Sequence, residues 1–367
     1  MRALVIGGTG PTGPYLVAGL RRRGFEVSIL HTGRHERPEI PSDVEHVHAD
    51  PYDAAALTAA LEGRTFDVCI ATYGRLRRIA EVMAGRCGKL VSVGGLPALR
   101  GYTDPAAFCP PGLPVPTRED APRLEAPERD EKGFRIAATE ERVFALHPDA
   151  THFRYPYLYG PHQLVPREWC VVRRVLDRRR TIVLADGGLT LMSFGYVENV
   201  AHAVLLALDH PSEAAGEIFH CADEETLTIR QVVEIVAAAL GHAFEIVSLP
   251  WELAAPARPL VMQPLTTHRV IDISKLRHRL GYRDVVPARE ALALTARWLA
   301  EHRPAPGGME EMALQDPFDY AAEDALIAAW RSALGSLPRV AFRCGEPGYG
   351  LAYSGPGGRR PRSREFE

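Results

Sequence analysis

The sequence has no close pair of cysteines, no long apolar run and no excess of charge of either sign. Its six cysteines include no CxxC motif, which argues against a zinc site or a disulfide framework and favours a reducing cytoplasm. No apolar stretch approaches the roughly 18 residues that a membrane span requires, and 43 basic side chains nearly balance 46 acidic ones. We therefore expect a cytoplasmic protein whose partner is a small molecule and neither a membrane nor a nucleic acid.

Short apolar runs alternate with amphipathic stretches over the first 95 residues. The runs ALVI, VSIL, VEHVH, DVCIA and LVSV are too short for helices and contain many β-branched residues. The segments between them have helical spacing and end near a glycine. This alternation predicts βαβ units. We expect an α/β fold: a Rossmann-type doubly wound parallel sheet with helices on both faces, followed by a small C-terminal α/β substrate lobe.

The rest of the chain shows how the molecule is divided. Residues 96–128 are rich in proline and glycine, which predicts a long functional loop over the carboxyl edge of the sheet. The expected divisions are 1–165, mainly a dinucleotide-binding domain; 166–302, mainly a substrate lobe interleaved with it; 303–340, a helical C-terminal extension; and 341–367, a tail with the composition of a disordered segment.

A glycine-rich turn, GGTGPTG, stands at 7–13 between the strand ALVI and a helix. Its glycines permit a tight turn and allow backbone N–H groups at a helix N-terminus to approach a pyrophosphate. Pro11 and Pro14 are expected in the first turn of that helix, where a missing N–H costs nothing. The residues expected to hold the phosphates of a dinucleotide are Gly7, Thr9, Gly10, Pro11, Thr12 and Gly13.

The second strand ends in HTGRH, without the carboxylate that binds the ribose 2′-hydroxyl of NAD. Arg34 is placed to accept a 2′-phosphate instead, so NADP is the preferred cofactor and NAD the alternative. His46 and His48 alternate along the third strand, and because no cysteine or carboxylate completes a ligand set, we predict no metal site. The other expected cofactor contacts are Thr32, Asp50, Pro51, Tyr73 and Tyr155.

Four motifs, in order along the first 300 residues, resemble the extended short-chain dehydrogenase/reductase family of NAD-dependent epimerases and dehydratases. They are the glycine turn, HADPYD at 48–53, RYPYLYGP at 154–161 and FGYVENVAHAV at 194–204. The resemblance implies a Rossmann fold, NAD(P) as cofactor and hydride chemistry. It also allows a homodimer through helices beside the sheet.

The same resemblance implies a Tyr-x-x-x-Lys pair on the helix after the fifth strand, and a serine or threonine just beyond that strand. The lysine ammonium lowers the pKa of the tyrosine, which exchanges a proton while the nicotinamide exchanges hydride. With the glutamate anchor near Glu141, the tyrosine position falls near Gly133 and the lysine position near Ala137. The hydroxyl position falls at Gly94 or Gly95. All three groups are missing.

Three interpretations remain open. In the first, the chain is an NAD(P)-dependent oxidoreductase with a non-standard proton donor. Lys132, eight residues before Glu140, resembles the lysine that replaces tyrosine in the isoflavone-reductase-like, atypical branch of the family; Tyr102 is the alternative acid. In the second, the chain binds the cofactor without chemistry, as a sensor or regulator. In the third, it is an epimerase or dehydratase of a sugar-like substrate, although Met192 or Ser193 replaces the arginine that usually holds a sugar nucleotide.

Apolar and aromatic side chains dominate the expected substrate lobe, which favours a small apolar or aromatic carbonyl or ring compound as the substrate. Arg154 and His162 flank the end of a strand, and we expect these polar groups to face a ligand. The expected substrate contacts are Tyr159, His162, Trp169 and Met192.

Overall fold

The computed structural model describes residues 1–72, 74–127 and 130–340. Met1–Asp319 form one compact unit, and a second unit begins at Tyr320. The strands are β1 Arg2–Ile6, β2 Glu26–His31, β3 Glu45–His48, β4 Phe66–Ala71, β5 Cys87–Gly95, β6 Thr151–Tyr155, β7 Tyr157–Tyr159, β8 Thr181–Ala185, β9 Leu191–Met192, β10 Phe194–Tyr196, β11 Glu217–His220, β12 Leu227–Thr228 and β13 Glu245–Leu249.

The helices follow the periodic segments of the sequence. They are α1 Gly13–Arg22, α2 Ala54–Ala60, α3 Leu76–Met83, α4 Glu131–Leu146, α5 Trp169–Leu176, α6 Val197–Asp209, α7 Pro211–Ala214, α8 Ile229–Ala239, α9 Arg258–Val261, α10 Ser274–Leu280, α11 Ala288–Glu301, α12 Met309–Leu314 and α13 Tyr320–Ser336. Among the described residues, none of these helices combines the length and the apolar character needed to cross a bilayer.

The central sheet has seven parallel strands in the order β11-β6-β5-β4-β1-β2-β3. Successive strands are added on one side of β1 up to β3, and then on its other side from β4 onwards. In such a sheet the direction of winding reverses beside β1, and ligands bind outside the carboxyl ends of the strands at that point. The predicted doubly wound Rossmann fold is confirmed.

Helices cover both faces of this sheet because its central strands are apolar on both faces. In β1, Ala3 and Val5 face a core that α1 and α6 complete. Leu4 and Ile6 face the opposite core, which includes residues of α2, α3 and α4. All four side chains are completely buried, so β1 forms a rigid base for the turn that follows it.

The substrate-lobe segment folds around a separate apolar core formed largely by α5, α8 and α11. Its short strands pair as β7 with β10, β8 with β13 and β9 with β12. The extended segment 151–159 is divided into β6 and β7 at Pro156, which has no N–H to donate to a ladder. As a result β6 stays in the central sheet, whereas β7 pairs in parallel with β10.

The C-terminal extension predicted over 303–340 contributes to both compact units. Its first part belongs to the first unit because it supplies carboxylates to basic and indole donors of α5. The Glu311 carboxylate accepts hydrogen bonds from Trp169 (2.9 Å) and Arg173 (2.6 Å), and Asp316 accepts one from the buried Arg174 (2.6 Å). The tail predicted over 341–367 lies outside the described residues.

Candidate cofactor site and active site

The glycine turn joins β1 to α1 and leaves no room for side chains. Gly7 has φ +90°, and its N–H donates to the carbonyl of Leu30 in β2 (2.9 Å). A Cβ on Gly13 would lie 1.7 Å from the carbonyl oxygen of Gly8. The helix therefore starts in direct backbone contact with the turn, as a pyrophosphate-binding turn requires. These residues fit the phosphates of a dinucleotide.

The two prolines of the turn differ in position. Helix α1 begins at Gly13 with Thr12 as its N-cap, so Pro14 lies in the first turn but Pro11 precedes the helix. The expectation that both lie in the first turn is therefore wrong for Pro11. Because Pro11 carries no N–H, the phosphates must be held by the remaining amides and by Thr12. The buried phenol of Tyr155, at the end of β6, lies beside Thr12, and burial raises its pKa well above the usual value.

An arginine that the sequence did not single out lies on the glycine turn. The Arg37 Nε donates to the carbonyl of Thr9 (2.9 Å), and its Nη1 lies 2.8 Å from Nδ1 of His162. His162 also lies 2.8 Å from the Glu39 carboxylate. His162 is thus linked through Arg37 to the glycine turn, and its assignment to the substrate stays a prediction. No signal in the local sequence separates Arg37 from its neighbours, because its position depends on the path of the β2–β3 loop.

The other predicted adenosine contacts lie around the ends of β2 and β3. Thr32 and Arg34 are exposed, and the Arg34 N–H donates to the Thr32 hydroxyl (3.4 Å). Asp50 is exposed and accepts from the Tyr52 N–H (2.9 Å). Pro51 is buried and packs closely on Gly74. Tyr73, also predicted to contact the cofactor, lies outside the described residues.

Two adjacent glutamates of α4 differ in environment. Glu140 is fully buried and receives two hydrogen bonds from Arg154, at 2.7 and 2.8 Å, whereas the side chain of Glu141 is 67% exposed. Counted back eight and four residues from Glu140 in place of Glu141, the tyrosine position would fall at Lys132 and the lysine position at Ile136. The register of the catalytic pair stays a prediction.

Lys132 lies in the first turn of α4 and is exposed. The next residue, Gly133, is packed so tightly that a Cβ there would lie 2.4 Å from the carbonyl oxygen of Pro97. Helix α4 therefore begins directly on the turn that follows β5. In short-chain dehydrogenases this junction is where the hydroxyl and tyrosine are expected, and in this chain Lys132 is an ionisable side chain beside it.

A buried polar network lies beneath this junction. Burial opposes ionisation of Glu140, but hydrogen bonds from Arg154 and His152 outweigh it and hold the Glu140 pKa at about 2. Burial and the neighbouring Arg154 charge lower the pKa of His220 to about 3. Ser92 lies 2.8 Å from Nδ1 of His152. Arg154 is therefore committed to the network, which corrects the expectation that it faces a ligand.

The other expected substrate contacts are core residues. Tyr159 is 2% exposed, and its hydroxyl donates to Asp223 (2.6 Å), whose pKa burial raises to about 7. Trp169 is buried and donates to Glu311. Met192 is buried in the lobe core. Since each side chain is enclosed by protein atoms, none of the three is placed to contact a substrate as predicted.

Tyr102 and Arg269 form the polar part of a junction between the long loop and the lobe. Tyr102 is 6% exposed, and burial raises its pKa although the Arg269 charge opposes this. Tyr102 as the alternative acid stays a prediction. The Arg269 guanidinium lies 4.4 Å from the Tyr102 ring centre, and its Nη1 donates to the carbonyl of Met262 (3.3 Å).

Two buried polar atoms at this junction have no hydrogen-bond partner within the described part of the chain. They are Nε of Arg269 and Oε1 of Gln263. Buried polar groups are nearly always paired, so unpaired ones mark a place where a ligand or water can bind. The backbone of Arg269 forms an isolated parallel bridge with Met192, so the segment that carries this arginine runs beside the position where the family resemblance implies one. Spacing gave no sign of it, because Arg269 comes from a distant segment.

A carboxylate also reaches the histidines near the ends of β2 and β3. Glu36 approaches Nδ1 of His46 (3.1 Å) and Nε2 of His48 (3.7 Å), and His31 lies in the same cluster. The prediction of no metal site assumed that no carboxylate could join these histidines. That premise is wrong, because the β2–β3 loop returns Glu36 to the strand ends.

Together, the parallel sheet, the switch of winding beside β1 and the glycine turn define a Rossmann-type dinucleotide-binding protein of the extended short-chain dehydrogenase class. The model of the NAD dependent epimerase/dehydratase family matches residues 142–222. A 3-diazoavenalumate denitrifying reductase from Streptomyces sp is 30% identical over 310 residues, which cover 78% of this chain and 97% of that protein. The chain belongs to the NAD-dependent epimerase/dehydratase family.

Other similarities agree with this placement. Uncharacterized protein YbjS from Escherichia coli (strain K12) is 27% identical over 192 residues, and this chain spans only 56% of its length. Among solved structures, the UDP-glucose 4-epimerase of Thermotoga maritima has a TM-score of 0.66 at 17% identity, covering 83% of this chain and all of that chain. The dehydratase DesIV from Streptomyces venezuelae has a TM-score of 0.61 at 21% identity, covering 83% of this chain and 98% of that chain. At these identities the structures show the fold alone.

Proposed function

We propose that this chain is an NADP(H)-preferring reductase of a small aromatic compound, with Lys132 in place of the usual tyrosine as proton donor. The observation that supports the proposal is the buried Glu140–Arg154 pair: with Glu140 as the anchoring glutamate, the residue eight positions earlier is Lys132. When bound, the reduced nicotinamide supplies hydride. The chain's own residues bind and orient the two molecules and supply the proton.

The proposed cofactor is inferred from the glycine turn and from two arginines. Gly7, Gly10 and Gly13 admit the pyrophosphate, because no side chain obstructs the backbone there. Arg34 and Arg37 lie in the loop after β2, where a carboxylate would favour NAD. Two guanidinium groups favour a 2′-phosphate instead. NADP is therefore the proposed cofactor, and NAD the alternative.

The proposed class of substrate is inferred from the junction of Tyr102, Arg269 and Gln263. A buried guanidinium with a free Nε favours an anionic group, such as the carboxylate of an aromatic acid. The Tyr102 ring, on which Arg269 lies, gives the guanidinium a fixed position. The relative named a 3-diazoavenalumate denitrifying reductase is matched over 97% of its length, which supports an aromatic acid carrying a reducible group.

Two acceptor groups place different demands on the proton donor. When hydride adds to a carbonyl carbon, the oxygen must take a proton, which the Lys132 ammonium would supply. When hydride replaces a diazonium group on an aromatic ring, N2 leaves with the bonding electrons of the C–N bond and no proton is needed. The absence of the usual Tyr-x-x-x-Lys pair is compatible with either route, since only the first requires an acid.

The proposal is tested by NADPH oxidation with aryl ketones, enones and aryl diazo acids, each acid paired with its methyl ester. We expect turnover with at least one class, and a lower KM for the acid because Arg269 can hold a carboxylate. For a carbonyl substrate, Lys132→Ala should lower kcat by about 100-fold. Arg135→Ala, in the same helix and exposed, is the matched control and should leave kcat unchanged.

A non-catalytic role as a cofactor-binding sensor is the second candidate, and the missing catalytic pair favours it. The two functions separate in the same experiment. Tight NADPH binding without oxidation of cofactor by any class would overturn the reductase proposal and favour the sensor. Full activity of Lys132→Ala on a carbonyl substrate would leave a reductase but remove Lys132 from its chemistry.

A further inference from the structure

A cluster of three histidines and one glutamate lies outside the proposed chemistry. His31 ends β2 and is the register partner of His48 on the adjacent β3. His46 precedes His48 by two residues, so the side chains of all three histidines lie on the same face of the sheet. Glu36 joins them from the β2–β3 loop. One ligand atom from each of the four side chains lies within 4.8 Å of all the others.

The distances between these atoms suit a small transition-metal ion. Zinc binds imidazole nitrogen and carboxylate oxygen at about 2.0–2.1 Å, so neighbouring ligand atoms of a tetrahedral site lie about 3.3 Å apart. The Glu36 carboxylate lies 3.1 Å from Nδ1 of His46 and 3.7 Å from Nε2 of His48. An ion between them requires only small adjustments of exposed side chains.

Hydrogen bonding assigns His31 a different role from the other two histidines. The Gly33 N–H donates to Nδ1 of His31 (3.1 Å), so this nitrogen carries no proton. In the neutral ring the proton is then on Nε2, which lies 3.1 Å from Nδ1 of His46. A protonated Nε2 cannot ligate a metal, but once an ion takes the lone pair of the His46 nitrogen, this N–H can donate to a water in the remaining coordination position.

We propose that Glu36, His46 and His48 bind a divalent transition-metal ion of the Zn²⁺ type, with His31 positioning a water as the fourth ligand. Two imidazoles and one carboxylate select zinc, cobalt or nickel over magnesium or calcium, which prefer oxygen ligands. The exposure of Glu36 and His48 gives the ion an entry path. The ion fixes the loop that carries Arg34 and Arg37, and so acts beside the adenosine end of the proposed cofactor site.

The test is metal binding by the full chain without a histidine tag, measured by calorimetry with Zn²⁺ and by visible absorption with Co²⁺. We expect one ion per chain and the intense visible bands of four-coordinate Co²⁺. His46→Ala and His48→Ala should each weaken binding by at least about tenfold. His31→Phe should weaken it by about 10- to 100-fold while leaving one site, as for partners that orient metal ligands.

His35→Ala is the matched control, because His35 is exposed in the same loop and lies outside the cluster; its zinc affinity should equal that of the parent. Thermal unfolding without metal identifies any variant that fails to fold, and added Zn²⁺ should raise the Tm of the parent but not of the H46A/H48A double variant. Absence of 1:1 binding by the folded parent, or equal affinity in the folded His46 and His48 variants, would overturn the proposal.

Discussion

The Glu140–Arg154 pair shows how a single buried contact organises the candidate active site. Both side chains are completely buried, and Arg154 also donates to the backbone carbonyl of Glu119 (3.0 Å) in the long loop. The pair therefore joins α4, β6 and the loop that follows β5. Because an unpaired charge in the interior is strongly unfavourable, each partner requires the other. This fixes the position of α4, and with it that of Lys132.

We expect Glu140→Gln to destabilise the protein by about 3–5 kcal/mol, since it leaves Arg154 buried without a full counter-charge. Glu141→Gln, at the exposed neighbouring position, should change stability by less than about 0.5 kcal/mol. Denaturant unfolding of the two variants checks this. Equal midpoints would show that the buried pair contributes little to stability.

Ionisation of the Glu140 carboxylate makes the stability of the fold depend on pH. The Glu140 pKa is about 2 in the folded protein against an ordinary 4.5, so ionised Glu140 stabilises the fold above about pH 4.5. That contribution is lost as the pH falls from 4.5 towards 2. Parent and Glu140→Gln should therefore converge in stability over this range, and a constant difference between them down to pH 2 would contradict the assignment.

At the scale of elements, the glycine turn and α1 form one structure. Gly13 lies so close to the Gly8 carbonyl that no side chain fits, and α1 packs against β2 and α6. A change in the turn must therefore move either the helix or the strand. Cofactor binding and local stability are coupled through this contact.

We expect Gly13→Ala to weaken NADP(H) binding by about tenfold or more and to destabilise the fold by about 1–3 kcal/mol, because overpacking forces the backbone to shift. Gly335→Ala in α13 is the control, since a Cβ there meets no atom within 4 Å. It should leave cofactor affinity unchanged. Fluorescence titration with NADPH and thermal unfolding measure both effects, and unaltered binding by Gly13→Ala would exclude the turn as the phosphate site.

At the scale of the whole molecule, a ligand that binds only the folded state stabilises every part of it. The gain is about 2.7 kcal/mol at a ligand concentration of 100 times Kd. NADPH should therefore raise the Tm more than NADH at equal concentration. Arg34→Ala and Arg37→Ala should reduce that difference, whereas Arg297→Ala, on the exposed side of α11, should not. An unchanged difference in both loop variants would show that these arginines do not cause the NADP preference.

A homodimer and a cytoplasmic location stay predictions.

The order and type of the main elements could be predicted from the sequence because they depend on local patterns. Short apolar runs separated by helical spacing define the βαβ units, and the five apolar runs of the first 95 residues correspond to β1 to β5. The glycine turn could be located for the same reason, since it is defined by the strand before it and the helix after it. The absence of the tyrosine and the lysine could be read from the sequence as well, because neither residue stands at either register.

Only the tertiary structure decided which side chains meet. Arg37 reaches Thr9, Arg269 reaches Tyr102 and Glu36 reaches His46 through the paths of loops, which no periodicity encodes. Tertiary packing also buried two residues that were expected to face a ligand. Arg154 is hydrogen-bonded to Glu140 and Tyr159 to Asp223, because buried polar groups must be paired. The sequence by itself thus determined the Rossmann fold and its dinucleotide turn, whereas burial and loop closure decided which charged groups surround them.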